Sequence, residues 1–373
     1  MYSVQIVRCL NDAFSLKEVW DKLILEQQSL LFPFVVYEEY CKINHLENSL
    51  VIFVVFQARV DVVAIFPFYT QNKMIHALFG DHFYEFDLLL AKTIKDDDHA
   101  TIFKMLALSL LKERQIDFVQ VVLKNISSSS YAQIFFNYCQ KAFPHLLHHN
   151  YAVDIYWIAT GNFEFYWEGV SKNLKKNMRK ATRELQKHYS IEYRSYKGGA
   201  ITEELRERFY QIESDNWKGS EGYSIKTQSA LVRFYNKLIP NMQAAELFFL
   251  VIKAKGSDSE SESEMSIAAL LVFHHQHTVY YWKSGYRQHF ASYSPSHLLL
   301  GHAISMHFQN PTIEKINLIA SGQSYIKSWN VEVAYLNTVA IYSGSFIGHL
   351  LYLKKKSKNM IKWVLLMIKG ERG

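Results

Sequence analysis

Two apolar runs, 50–56 (LVIFVVF) and 62–68 (VVAIFPF), flank the turn 57–61 (QARVD). β-branched and aromatic residues in blocks of this length, bounded by polar turn residues, read as two strands of a meander hairpin. The chain must therefore build a sheet, and the remaining patterns say what covers it. Residues 15–29 place Leu16, Val19, Leu23 and Ile24 at helical spacing, and 37–44 forms a second short helix. Lys73–Phe79 reads as a third strand, His99–Lys112 as a helix and Phe118–Leu123 as another strand.

The second half repeats the style. Helices are expected at 171–188, 202–217, 226–238 and 295–308, and strands at 191–195, 247–254, 267–274, 278–284, 313–319 and 335–341. The expected fold class is α/β (α+β), in two units of similar size, although no fixed-period repeat is visible. A length of 373 residues fits about two domains. Hydrophobic residues make up 49% of the chain, with only 15 Gly and 6 Pro, which excludes disordered and collagenous classes.

Cys9, Cys41 and Cys139 show no CxxC or Cys/His metal spacing and read as structural thiols of a reducing compartment. The first residues lack the basic start and apolar stretch of a secretory signal. The longest apolar region, 50–68, is interrupted by Gln57, Arg59 and Asp61, short of a membrane span. The expectation is a soluble cytoplasmic protein. One low-complexity stretch, 255–264 (KGSDSESESE), reads as an acidic, solvated hairpin turn.

The chain contains no phosphate-binding GxxxxGK[ST] loop, GxSxG nucleophile elbow or HExxH zinc helix. His274, His275 and His277 cluster at a strand end. No carboxylate or Cys lies near them in sequence at ligand spacing, so they read as surface histidines and no metal is expected.

Helix 171–188 is the sharpest feature. Lys172, Lys175, Lys176, Arg179, Lys180, Arg183 and Lys187 form one face, while Leu174, Met178, Ala181 and Leu185 form the other. Ser171 fits its N-cap. The apolar stripe must dock on a sheet; the basic stripe, with Glu184 its one acid, is poised for an anion. The stretch 280–300 (YYWKSGYRQHFASYSPSHLLL) reads as strand, loop, helix, with Ser294 as N-cap and Pro295 at the first helical position. A helix N-terminus offers N–H groups and partial positive charge to phosphate.

Several stretches in order resemble the CelD-like and Fem-like branch of the GNAT acyltransferase superfamily. SKNLKKNMRKATREL (171–185) is similar to its basic helix, and ESDNWKGSEGYS (213–224) to its Trp-Lys-Gly segment. SIAALLVFHHQHTVYYWKSGYRQHFASYSPSHLL (266–299) resembles its central hairpin and Ser-Pro helix start, and ASGQSYIKSW (320–329) its closing segment. The N-terminal half resembles these proteins more loosely, in its Trp20 helix and the Ala64–Phe68 strand. The resemblance implies two tandem GNAT-like domains, each a mixed, mostly antiparallel sheet flanked by helices. The expected boundaries are 1–158 for a degenerate first domain, 159–345 for the acyltransferase domain and 346–373 for a basic tail.

By resemblance the second domain transfers an acyl group from acetyl-CoA or another acyl-CoA to an amine or hydroxyl of a small-molecule or glycan acceptor, such as a cell-envelope precursor. The cofactor residues would be Leu271, Val272, Phe273, Arg287, Ser294, Ser296 and His297, with strand N–H groups polarising the carbonyl. Asp215 would serve as base, with Glu213 its alternative; Tyr286 or Tyr325 would protonate the leaving thiolate, and Lys327 of the closing segment is a further catalytic candidate. Lys175, Lys176, Arg179, Trp217, Lys218 and Trp282 would meet the acceptor. The superfamily's phosphate loop carries glycines; 287–295 (RQHFASYSP) has none.

Two other readings stay open. One is a Fem-like aminoacyltransferase using aminoacyl-tRNA, although the long helical hairpin of tRNA-using relatives is not evident in the compact 202–238. The other is a non-catalytic binding module, which the glycine-free loop favours. Helix 171–187 and tail 350–373 each carry seven basic residues and one acid, so the rest of the chain is net acidic. The tail, with Trp363 among its lysines, reads either as a packed terminal helix with a basic outer face or as a segment for an anionic membrane surface, which would put the cytoplasmic protein at the inner face of the membrane.

Overall fold

The structure is a computed structural model that describes residues 2–27, 30–78, 84–112, 120–144, 146–242, 244–255, 264–319 and 324–357. Its first half runs β1 (Tyr2–Val7), α1 (Leu10–Ala13), α2 (Lys17–Glu26), α3 (Phe34–Ile43), β2 (Leu50–Gln57), β3 (Asp61–Gln71), β4 (Met74–Ala77), β5 (Leu89–Leu90), α4 (Asp96–Lys112), β6 (Gln120–Ser127) and α5 (Tyr131–Ala142). The second half follows with β7 (Leu147–Ala159), α6 (Phe163–Gly169), α7 (Lys172–His188), β8 (Tyr189–Lys197), α8 (Glu203–Ser214), α9 (Trp217–Ser220) and α10 (Ser229–Asn241). It closes with β9 (Ala245–Ala254), β10 (Met265–His275), β11 (Thr278–Tyr286), α11 (Pro295–Phe308), β12 (Lys315–Asn317) and β13 (Glu332–Tyr342). The fold class is α/β, mostly antiparallel strands flanked by helices.

The chain divides into two compact units, 1–34 with 44–153 and 335–373, and 35–43 with 154–334. In the first, β1–β2–β3–β4 pair antiparallel, β4 pairs β6 in parallel, and β6 pairs β13 antiparallel. The hairpin joining β2 and β3 turns through Ala58 and Arg59, at φ of 52° and 66°. Left-handed backbone at both turn residues matches the twist of the flanking strands.

The second unit repeats the pairing. β8–β9–β10–β11 are antiparallel, β11 pairs β12 in parallel, and β12 pairs β7 antiparallel. This shared topology is the internal repeat that residue identities conceal. β9 and β10 are buried along nearly their whole length, which requires cover on both faces. α8 packs on β10 and β11, and α11 on β9 and β10.

Gly285 is what lets α8 approach β11. A Cβ there would lie 2.4 Å from the Glu213 Cα and 2.8 Å from its backbone nitrogen. On α7, Leu174, Ala181 and Leu185 are buried as the stripe demands. Ser171 stands at the N-cap position, but its side chain makes no cap bond. Its backbone is used instead: Ser171 N–H donates to Ser328 O, and Ser171 O accepts from Lys175 N–H.

β1, β7, α5 and α6 were not anticipated. β7 opens with Leu147-His148-His149-Asn150, which hides its alternation. The turn 256–263, the Phe118 start of the expected strand at 118–123, and residues 358–373 with Trp363 lie outside the described residues. Residues 346–357 are helical, and among the described residues no helix is long and apolar enough to cross a membrane. Cys41 and Cys139 are buried, and burial pushes the Cys139 thiol up to about 12, so it stays protonated.

Candidate active site

β11 and β12 pair through only three residues, Thr278–Tyr280 against Lys315–Asn317. β11 then runs on to Tyr286 while the chain after Asn317 leaves the ladder. The divergence opens a cleft of about 670 Å³ within the second unit. β10 contributes Ala269 and Leu270, and β11 contributes Tyr281–Ser284 and Tyr286. Ser294–His297 come from the start of α11, and Asn216, Leu318, Ile319 and Ile326 close the rim.

A bulge shapes the β11 wall. Leu271 aligns with Lys283 and Val272 with Tyr281, so Trp282 has no opposite residue. An extra residue increases local twist and re-aims the side chains that follow. The Trp282 indole donates to the Tyr235 hydroxyl at 3.2 Å and meets the Phe273 ring edge-on at 5.3 Å. It anchors the bulge to the interior.

The glycine-free loop reaches α11 by another route. Arg287–Tyr293 lead through a short 3-10 turn to Ser294, which sits at φ 47° and ψ 50°. Ser294 thus adopts the left-handed conformation that a glycine usually supplies, at a cost of roughly 1–2 kcal/mol. Ser294 stands at the expected N-cap position, but its side chain makes no cap bond; its carbonyl accepts from the His297 and Leu298 N–H groups. Pro295 occupies the first helical turn as expected. The N-terminus of this 14-residue helix faces the cleft with its partial positive charge.

His297 lines the cleft and stacks on Trp329, with ring centroids 5.8 Å apart. Burial pushes its pKa below the ordinary value, so the ring is neutral at pH 7. Trp329 is itself 0% exposed, and Gly301 lets it lie against α11.

The other expected residues fall in varied places. Ser296 and Tyr286 line the cleft. Leu271, Val272 and Phe273 are buried inside β10 between β9 and β11, so the β10 wall is Ala269 and Leu270 instead. Arg287 braces the loop, its Nε donating to Ser266 O at 3.0 Å and a guanidinium nitrogen standing 3.5 Å from Asp215. Asp215 is exposed, and its neighbour Asn216 is the one that lines the cleft. Glu213 is 0% exposed and accepts from Ile225 N–H at 2.9 Å, holding the 213–225 loop. Lys327 is exposed in the 3-10 turn Ser324–Trp329 that also carries Tyr325, while Trp217 and Lys218 open α9. Asn216, Lys283, Ser284 and Ile319 were missed, since nothing in their spacing marks a cleft before the strands are seen to diverge.

A second groove of about 520 Å³ runs between α7 and α11, lined by Lys175, Arg179, Arg183, Tyr193, Leu298 and His302 among others. Tyr193 stacks on His302 at 4.0 Å. Lys175 is partly engaged, donating to the Trp167 and Glu168 carbonyls at the end of α6. Lys176 and Arg179 are exposed.

The histidine cluster departs from expectation. A carboxylate does lie beside it: Glu246 of β9 accepts from His274 Nε2 at 2.8 Å. His307 of α11 comes to 3.6 Å from the same oxygen. The sequence reading missed this because the partners lie 28 and 33 positions away from His274.

Residues 172–325 match the family model described as an acetyltransferase (GNAT) domain. Among solved structures the chain is similar to FemX, at 10% identity and a TM-score of 0.61, covering 90% of this chain and 98% of that one. It is similar to the C-terminal domain of an Agrobacterium fabrum protein described as a lysylphosphatidylglycerol synthetase, at 9% identity and a TM-score of 0.55, covering 91% and 95%. L-PGS from Bacillus licheniformis is similar at 10% identity and a TM-score of 0.51, covering 91% and 96%. No curated protein matches the chain. Residues 172–325 thus resemble a GNAT acetyltransferase domain, and the chain shares the fold of FemX.

Proposed function

We propose that the second domain, residues 159–345, transfers an acyl group directly from acyl-CoA to an amine or hydroxyl acceptor. The observation that carries this reading is the divergence of β11 from β12 over a cleft that α11 meets with its N-terminus. The cleft volume lies within the roughly 300–1,000 Å³ typical of small-ligand sites. The pyrophosphate rests on the first turn of α11, at Ser294 and Ser296, and the acyl-bearing arm lies along β11. Left-handed Ser294 supports this placement, since it takes a positive φ of the kind that glycines supply in phosphate loops.

In the chemical step the acceptor nitrogen or oxygen bonds to the thioester carbonyl carbon, and backbone N–H groups on the cleft side of β11 stabilise the oxyanion. Neutral His297 takes the acceptor's proton. The C–S bond then breaks and Tyr286 protonates the thiolate. Asp215 is less suited as base because it pairs with Arg287 in solvent. The acceptor class, a sugar or envelope precursor, rests on the sequence resemblance. The test is acceptor-dependent release of free CoA thiol from a panel of acyl-CoA donors. Release that falls at least tenfold in Tyr286→Phe supports the reading, and no release with any donor and acceptor overturns it.

The groove between α7 and α11 favours a second reading, transfer from aminoacyl-tRNA. Lys176, Arg179 and Arg183 would then meet the RNA backbone. If so, neutralising all three lowers the salt dependence of tRNA binding by a slope of about 2–3. Unchanged binding removes this reading and leaves acyl-CoA.

A further inference from the structure

We propose that Glu246, His274 and His307 form a binding site for one divalent transition-metal ion of the zinc type, with water completing the coordination. Val272 aligns with Glu246 in the β9–β10 ladder, and His274 lies two residues beyond Val272, so Glu246 and His274 share a sheet face. α11 packs on both strands and brings His307 to them from its last turn. One donor atom from each of the three residues falls within 4.8 Å of the others.

The spacing suits tetrahedral coordination. Metal–ligand bonds near 2.0–2.2 Å put neighbouring donor atoms about 3.3–3.5 Å apart. The two distances from Glu246 Oε2, 2.8 Å to His274 Nε2 and 3.6 Å to His307 Nε2, bracket that value. The His274 and His307 donors lie within 4.8 Å of each other, so side-chain adjustments on the order of 1 Å bring all three onto a common ion.

The surroundings orient the ligands. The buried Tyr281 hydroxyl meets His307 Nδ1 at 2.7 Å, which fixes the ring with Nε2 toward Glu246. A hydrogen bond on the far ring nitrogen is the usual support of a metal-bound histidine. Among the described residues, Glu246 Oε1 and His307 Nε2 are both buried without a hydrogen-bond partner. Glu246 is only 1% exposed, so an unsatisfied carboxylate oxygen there needs an occupant. Burial raises the Glu246 pKa, but the hydrogen bond from His274, the approach of His307 and the charge of Lys197 outweigh it and hold the carboxyl at about 2. Burial keeps His307 neutral against the opposing pull of Glu246. An ionised carboxylate and a neutral His307 imidazole are states a metal requires.

Lys197 is the competitor. Its ammonium stands 3.4 Å from Glu246 Oε2, but its side chain is 64% exposed and free to swing into solvent. Without metal, Lys197 is the cation that faces Glu246. The site lies twelve residues along α11 from Pro295, about 18 Å at the helical rise, and touches the wall of the transfer cleft through Tyr281. Its effect is to pin the C-terminal end of α11 to the sheet.

The test uses the full, tag-free chain, stripped with a chelator, titrated with Zn2+ and desalted before its metal content is measured. The wild type retains one Zn2+ per chain and gains thermal stability with the metal. His274→Ala, at the part-exposed ligand, and Glu246→Gln weaken binding by at least on the order of a hundredfold. Lys197→Ala tightens it, and His275→Ala and His277→Ala leave it unchanged. Retention by the wild type no greater than by His274→Ala, or an equal Zn2+-induced stabilisation of both, overturns the proposal and leaves a metal-free ionic network.

Discussion

Ser294 holds a backbone conformation that its own Cβ resists, and nothing but position explains why a serine stands there. Ser294→Gly is expected to be neutral or stabilising in urea denaturation, because relief of strain offsets the entropy glycine adds to the unfolded chain. Ser294→Val is expected to cost about 1–2 kcal/mol, since a β-branched residue tolerates positive φ poorly. Gly285 is the opposite case, where space rather than conformation decides. Backbone atoms of Glu213 would have to move for any Cβ, so Gly285→Ala is expected to cost about 2–3 kcal/mol or more, by the logic of overpacking. His297 adds a pH dependence. Its folded pKa is lowered below 6.5, so its contribution is complete above about pH 6.5 and is lost as pH falls through the folded value. Chemical denaturation of His297→Gln should show a shallower loss of stability on acidification than the wild type. An identical slope would remove His297 from the account.

Among the elements, α7 was legible because its two faces differ in residue type at helical spacing, and the structure buries Leu174, Ala181 and Leu185 accordingly. The β10–β11 hairpin and α11 were legible for similar reasons. β7 was not, because its first residues are His148, His149 and Asn150, and β1 is too short and mixed to stand out. The cleft was legible only in part. Tyr286, Ser294, Ser296 and His297 were marked by their place between a strand and a helix start. Asn216 and Lys283 enter only through the bulge at Trp282 and the parting of β12, which are consequences of pairing. The Glu246–His274–His307 cluster is likewise assembled by register and helix packing. Trp329 ties α11 to α6, through His297 and Gly301 on one side and Trp167 and the Tyr166 hydroxyl on the other. Trp329→Ala should cost about 3–5 kcal/mol and loosen His297 with it.

On the scale of the whole chain, one pairing scheme occurs twice, and only the second unit carries the matched acetyltransferase domain. The net positive charge is concentrated in α7 and the C-terminal tail, so the remainder of the chain is net acidic and α7 stands out as a basic element of the second unit. The central claim is that the cleft beside α11 holds the acyl-CoA. Calorimetric titration of CoA into the wild type and Ser296→Glu tests it most directly. A glutamate in the first turn favours the helix through its dipole while repelling phosphate, so the variant should stay folded. The account predicts one CoA bound per wild-type chain and none by Ser296→Glu. Equal affinity for both proteins, or no binding by the wild type, would contradict it.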